Sequence, residues 1–317
     1  TKEFTPAKLE AYNALVCSSS TPVSMPNGVV VVHDCITHFK SDVIELDDTG
    51  LDQPSMKYIK DKDIELNDSD GYGLAYPPLM ERWGEEIGED FMLPGCVIRN
   101  SFCKGAVFPV DFQKFARDHK VKTITDIWGN TYDIDKVELV LTESMLKLWD
   151  SYSSIEDYLE NCEKNHYTFA ITKSSEEELE NVRTMNYQFL QSYDFTDEQI
   201  DELIAPTVSE IKDILSDDYR KTILYAKGIS LNKENVQHLD NSFATALMIE
   251  PKMKDDPYVK NQLYTMIRKR IDDAKVGVLK VPANYSLVSG DPYSLCQSMF
   301  GLEVTGLLKV GQVYSKY

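Results

Sequence analysis

Two cations separated by a short turn are the first chemistry this sequence offers. Arg99 ends the apolar run Val97-Ile98-Arg99, and Lys104-Gly105 opens the next run, Ala106-Val107-Phe108. The glycine beside the lysine permits a tight backbone path, so the amine can point into a groove. A lysine and an arginine held close together are fixed positive donors. As a pair they suit the oxygens of a triphosphate or a phosphodiester. The same residues also fit an ordinary solvated hairpin.

Other chemistry is sparse. There is no GxxxxGK[ST] loop for phosphates, no GxSxG nucleophile turn and no GxGxxG after a strand. Asp70-Gly71-Tyr72-Gly73 carries two glycines around an aromatic, which predicts a positive φ or a close approach to another chain segment. The pairs Asp47-Asp48, Asp217-Asp218 and Asp272-Asp273 read as solvated faces. The six cysteines (Cys17, Cys35, Cys96, Cys103, Cys162 and Cys296) form no C-x2-C pair. They read as free thiols in a reducing, cytoplasmic setting. The five histidines, His33, His38, His119, His166 and His238, have no zinc-ligand spacing. No metal is expected on this stretch itself.

The chain must carry these residues on a core, and its composition allows one. It has 317 residues, of which 42% are hydrophobic, so disorder as the global state is excluded. That length suggests two or three domains. The longest apolar strip, Val29 to Val32, is strand-sized, so no membrane span is expected. The net charge of −19 argues against nonspecific nucleic-acid binding by the whole surface. The charge is uneven, however. Residues 174–218 hold thirteen acids against two bases, and residues 219–280 hold twelve bases against seven acids. Such a balance can hide a local basic groove. Arg268-Lys269-Arg270 could track phosphates or form the solvated face of a helix, and Tyr72 and Trp83 could stack on bases or lie in the core.

Hydrophobic periodicity places the elements. A helix is expected over 6–16, a strand at Val29–Val32, short strands at 43–46 and 63–66, and a helix over 78–88. Strands follow at 96–99, 106–110, 137–141 and 167–171, with a short helix over 111–119. Ser175-x-x-Glu178 and Thr196-x-x-Gln199 are capping-box patterns that predict two helices, the first running through Leu179, Val182, Asn186 and Tyr193. Asp256-Pro257 starts a third helix that ends before Gly277. The expected fold class is therefore α+β: a β-rich domain over 1–173, a mainly helical domain over 174–275, and a strand-and-turn linker over 276–317.

These features, in this order, resemble the N-terminal part of the catalytic core of cellular RNA-dependent RNA polymerases, members of the two-barrel RNA polymerase superfamily. The matching stretches are Lys8 to Leu15 with Ser18-Ser19-Ser20, Gly28 to Asp34, and Asp70-Gly71-Tyr72-Gly73. They continue with Val97-Ile98-Arg99 before Cys103-Lys104-Gly105-Ala106-Val107, where the family tends to show Q-x-R and a K-G-V-like step, and with Asn186-Tyr187-Gln188 and Leu190. Gly290-Asp291-Pro292 and Thr305 to Tyr314 resemble the family's C-terminal connector. Val97 stands where that family has Gln, and the acidity is unusual for a polymerase core.

The resemblance implies a first double-psi β-barrel within about 25–145, with 174–275 as a neck-like connector. It implies that Lys104 serves catalysis and that Arg99 and Lys104 bind substrate phosphates. It also implies a second barrel whose D-x-D-G-D loop holds magnesium. No D-x-D-G-D occurs in these 317 residues; the nearest string is Ser289-Gly290-Asp291. The expectation is thus a polymerase fragment, inactive alone. It would act on a nucleic-acid template and NTPs when a second barrel is supplied in cis or in trans, with Mg2+ present only in the complete enzyme. Two other readings remain. One is a noncatalytic module of phage or mobile-element origin that binds protein or nucleic acid; the other is an unrelated acidic α+β enzyme.

Overall fold

The computed structural model describes residues 5–13, 19–48, 54–216, 218–226, 242–309 and 311–315. The chain divides into two compact units, Thr1–Glu178 with Ser286–Tyr317, and Leu179–Tyr285. The strands are β1 (Thr21–Pro22), β2 (Val29–Val32), β3 (Ile36–Asp47), β4 (Ser55–Asn67), β5 (Tyr72–Ala75), β6 (Cys96–Asn100), β7 (Cys103–Pro109), β8 (Thr123–Thr125), β9 (Thr131–Asp133), β10 (Leu139–Thr142), β11 (Ala170–Ser174), β12 (Val182–Thr184) and β13 (Lys280–Pro282). The α-helices are α1 (Pro6–Asn13), α2 (Pro77–Ile87), α3 (Phe112–Asp118), α4 (Ile155–Lys164), α5 (Gln188–Gln191), α6 (Asp197–Leu215), α7 (Tyr219–Ala226), α8 (Ser242–Ile249), α9 (Pro257–Lys275) and α10 (Pro292–Met299). The fold class is α+β.

A seven-stranded sheet organises the first unit, in the order β1-β11-β6-β7-β5-β10-β2. Its centre has a symmetric logic. β2 runs parallel to β10, β5 runs parallel to β7, and the two pairs meet through the antiparallel contact of β5 with β10. Both faces of the sheet are buried, which explains why β2 is an unbroken valine run rather than an alternating one. Val29 and Val31 face one core, with Leu139 and Leu141 of β10, Leu79, Met80 and Trp83 of α2, and Tyr158 of α4. Val30 and Val32 face the other, with Leu74 of β5, Val140 of β10, Phe112 of α3 and Leu295 of α10. Trp83 and Tyr72 are both core residues. Trp83 donates its indole N–H to the Ser24 carbonyl at 2.9 Å, and neither ring is available for stacking on a base.

The expected helix at the N-terminus is present as α1, and residues 14–16 of that reading lie outside the described residues, as do Cys17, Ser18, Asp217, His238 and Val310. The short strands expected at 43–46 and 63–66 are parts of one long antiparallel hairpin, β3 with β4. Residues 286–317, read from the sequence as part of a linker, contribute α10 to the second core of the first unit.

The second unit has its own small core of Ile214, Leu247, Val259, Leu263 and Ile267. The capping box of α6 is formed: Thr196 Oγ1 accepts from the Gln199 N–H at 3.4 Å, and Gln199 Oε1 accepts from the Thr196 N–H at 3.1 Å. Asp256 caps α9 by accepting from the N–H groups of Tyr258 and Val259. The helix expected to run from Ser175 to Tyr193 is not formed. Val182, Arg183 and Thr184 instead pair antiparallel with Pro282, Val281 and Lys280, and only α5 is helical there. β-Branched Val182 and Thr184 favour the extended form, and distant pairing overrides the local helical pattern.

Candidate functional site

The site is built where the ends of the central strands come together. The C-terminal ends of β2 and β10 lie beside the N-terminal ends of β5 and β7, because β5 and β10 are antiparallel. The turns at this end carry His33 and Asp34, Asp70 and Gly71, the residues entering β7, and the segment 143–148. The β6/β7 hairpin places Arg99 directly opposite Lys104. Residues so paired have Cβ atoms about 5 Å apart on one face, and like charges in that position repel. An anion between them would relieve that repulsion.

The hairpin is gripped on both sides. Gly71 takes the positive φ of +72° that its Asp-Gly pair predicts, and its carbonyl accepts from the Ala106 N–H at 2.9 Å. A Cβ on Gly105 would come within 2.5 Å of the Gly71 oxygen and 2.7 Å of the Met145 side chain, so only glycine fits there. From the other side, the Lys104 N–H donates to the Met145 carbonyl at 3.1 Å, and the Lys147 N–H donates to the Phe102 carbonyl at 2.8 Å. Phe102, in the turn, is held at a φ of +54°, a conformation that L-residues rarely adopt.

The charges converge on this turn. Lys104 is exposed, while Arg99 and Lys147 are half-buried. Arg99 Nη1 donates to the Ile98 carbonyl at 2.8 Å, and its Nε is buried with no hydrogen-bond partner among the described residues. Lys147 Nζ donates to the Ser144 carbonyl. Burial pushes the Cys103 thiol up to about 12, against a downward pull from both Arg99 and Lys147. Two of the three cations therefore act electrostatically on one sulfur.

Acids stand close by. Glu143 pairs with His33 Nδ1 at 2.9 Å. Asp34 is buried and accepts from Ser69 Oγ at 3.0 Å, Ser144 Oγ at 2.9 Å and Asn67 Nδ2 at 2.8 Å. Ser144 Oγ in turn accepts from the Gly71 N–H at 2.9 Å. Among the described residues, no group of three or more His, Cys, Asp or Glu side chains could hold a metal ion. Asp34 and Glu143 are already committed to hydrogen-bond partners, and the described residues gather no carboxylate set of the kind magnesium needs.

The structure thus brings the two candidate residues, Arg99 and Lys104, onto one face. It adds Lys147 and Ser144, which the motifs did not single out. The available signal was the polar run Thr142-Glu143-Ser144 at the end of a buried strand, with a lysine soon after it. Arg268-Lys269-Arg270 is not one basic surface. Arg270 is buried, with its guanidinium donating to Glu210, Thr207 and the Val278 carbonyl, while Arg268 and Lys269 are exposed.

No family model matches the chain. The chain is 30% identical over 316 residues to the DNA-directed RNA polymerase YonO of Bacillus phage SPbeta; the match covers 97% of this chain and 35% of that protein. Among solved structures, the RNA-dependent RNA polymerase QDE-1 from Thielavia terrestris matches 83% of this chain and 25% of its own, at 12% identity and a TM-score of 0.44. So loose an overlay carries no weight for the fold. The chain is thus similar in sequence to an RNA polymerase, as its motifs suggested, and spans about a third of that enzyme's length.

Proposed function

We propose that this chain is the first-barrel part of a template-dependent RNA polymerase, a nucleotidyltransferase. The observation that carries the reading is the match to an RNA polymerase over 97% of the chain. The residues that would act are Arg99, Lys104 and Lys147. Nucleotidyl transfer builds negative charge on the triphosphate oxygens, and cations fixed beforehand around those oxygens stabilise the transition state. A hairpin locked by backbone hydrogen bonds and by the Gly105 contact is a suitable mount, because placement errors near 1 Å cost rate.

The parallel, antiparallel, parallel order of β2-β10-β5-β7 supports a double-psi β-barrel, since a pseudo-twofold relates the two halves of that order. Residues 179–285 suit a connector. The metal chemistry is assigned to a second barrel, in cis or in trans, because the described residues do not gather the carboxylates that magnesium needs. The chain alone is then inactive, and its partners are template, NTPs and that second barrel. Similarity to a DNA-directed enzyme supports a DNA template. No helix among the described residues is long and apolar enough to cross a membrane. Five buried, unpaired cysteines support a reducing, cytoplasmic setting.

The test is nucleotide incorporation by this chain together with a second barrel, on DNA and on RNA templates. Lys104→Ala and Lys147→Ala are each expected to lower incorporation at least about tenfold, equivalent to about 1.4 kcal/mol of barrier. A noncatalytic binding module would instead show no incorporation, and the substitutions would only shift a salt-dependent affinity.

A further inference from the structure

We infer that Asp34 is a positioning residue for the cation cluster, a role that rests on the reading just given. The carboxylate is buried and, among the described residues, has no cationic hydrogen-bond partner; its donors are Ser69, Ser144 and Asn67. A buried carboxylate is costly unless its oxygens are satisfied. Three convergent donors satisfy this one. An asparagine of the same size would aim an N–H at one of those donors. The site therefore calls for a carboxylate, although Asp34 lies outside the groups that would touch phosphate.

What Asp34 holds is the frame of the cations. Ser144 is the branch point. Its hydroxyl donates to Asp34 and accepts from the Gly71 N–H, and its carbonyl accepts from Lys147 Nζ. Gly71 passes the constraint on, since its carbonyl accepts from the Ala106 N–H next to Lys104-Gly105. Ser69 ties the same loop from below: its hydroxyl donates to Asp34 and accepts from the Cys35 N–H at 2.8 Å. One carboxylate thus ties the loop 67–71 to Ser144, whose carbonyl holds the Lys147 amine, while backbone bonds from Lys104 to Met145 and from Lys147 to Phe102 join that segment to the hairpin. Pairing of β5 with β10 keeps the two segments adjacent, and the Asp34 link sets how Ser144, and with it the Lys147 amine, is held there.

The experiment is a calorimetric titration of the 317-residue chain with inorganic tripolyphosphate at several salt concentrations, with thermal melting of each variant in parallel. The wild type is expected to bind in a way that Lys104→Ala weakens. Asp34→Asn should weaken binding about tenfold, the order of one lost charge-assisted hydrogen bond, and should reduce the salt slope by about one contact. In a Lys147→Ala background the Asp34→Asn change should add less than about twofold, because both changes remove the same placement. A purely structural role would lower the melting temperature and leave the affinity of the folded chain, its salt slope and the additivity untouched. That result overturns the inference. If Asp34→Asn does not fold, Ser144→Ala carries the same comparison, since it removes one donor from Asp34 and the acceptor of Gly71. A wild type with no Lys104-dependent binding overturns the phosphate reading of the site and this inference with it. Lys104-dependent binding that is indifferent to both Asp34→Asn and Ser144→Ala overturns the positioning role alone.

Discussion

The hairpins β3/β4 and β6/β7 are both antiparallel pairs with apolar residues at alternate positions, and they end in opposite circumstances. β6/β7 sits inside the seven-stranded sheet, with β11 on one side and β5 on the other. Cys96, Ile98, Cys103 and Val107 of one face are buried. β3/β4 is about twice as long, and among the described residues no further strand pairs with either edge. Its cross-strand pairs Ile44 with Tyr58 and Leu46 with Met56 share a face, and each side chain is 61–77% exposed. Alternation defines a face, and neighbours decide whether that face becomes core. The candidate phosphate site lies on the held hairpin, where every turn is cross-braced. The two hairpins communicate at Asp34, which accepts from Asn67 at the end of β4 and from Ser144 behind the cations.

The contrast breaks most directly at Gly105. Gly105→Ala forces a Cβ against the Gly71 carbonyl, a backbone atom that cannot move without shifting β5. A loss of about 2–3 kcal/mol in a urea titration is expected, in the range of overpacking in a tight core. A loss under about 0.5 kcal/mol, as for a surface change, would mean that the hairpin is not gripped.

A smaller effect separates the hairpins by pH. Burial pushes the Cys96 and Cys103 thiols of β6 and β7 up from 9.0 to about 12. An unfolded chain releases those protons first. Their contribution to stability is complete below pH 9 and is lost as the pH climbs from 9 toward about 12. Urea midpoints at about pH 8 and about pH 10 should therefore fall, and the fall should be shallower in Cys103→Ala. An equal fall in that variant would mean that the thiol is not buried. The β3/β4 hairpin carries no cysteine, so the thiol part of this slope belongs to β6/β7.

Much of this frame was legible in the sequence, and the exceptions share a cause. The buried strand Val29–Val32, the amphipathic α2 and the caps of α6 and α9 follow from residues within a few positions of one another. Arg99 and Lys104 were readable as a pair because a short turn joins them. The segment after Ser175 was misread because its partner strand, Lys280–Pro282, lies far along the chain, and pairing with it outweighs the local helical spacing. Lys147 reaches the turn at Phe102, and Asp34 finds Ser144, only once β2, β5, β7 and β10 lie side by side. Local pattern reveals faces and caps, whereas this site is a property of register between distant strands.

The smallest effect is expected on the outer hairpin. Leu46→Ser and Met56→Ser remove apolar side chains that are 64% and 77% exposed, with little contact to lose. The flanking pairs Lys57–Asp47 and Lys62–Glu45 are exposed enough that water screens them, so they contribute little either. Each substitution should change the urea stability by no more than about 0.5 kcal/mol. A two-stranded ribbon in water is marginal by itself, so its register rests on the tie at its base, where Thr37 Oγ1 donates to Asp68 and Asn67 Nδ2 donates to Asp34. Weakening the tip should therefore leave the base, and the cation site beyond it, unchanged. A loss above about 1 kcal/mol, the scale of a buried methylene, would show that this face is packed rather than exposed. The distinction between a held and a free hairpin would then fail.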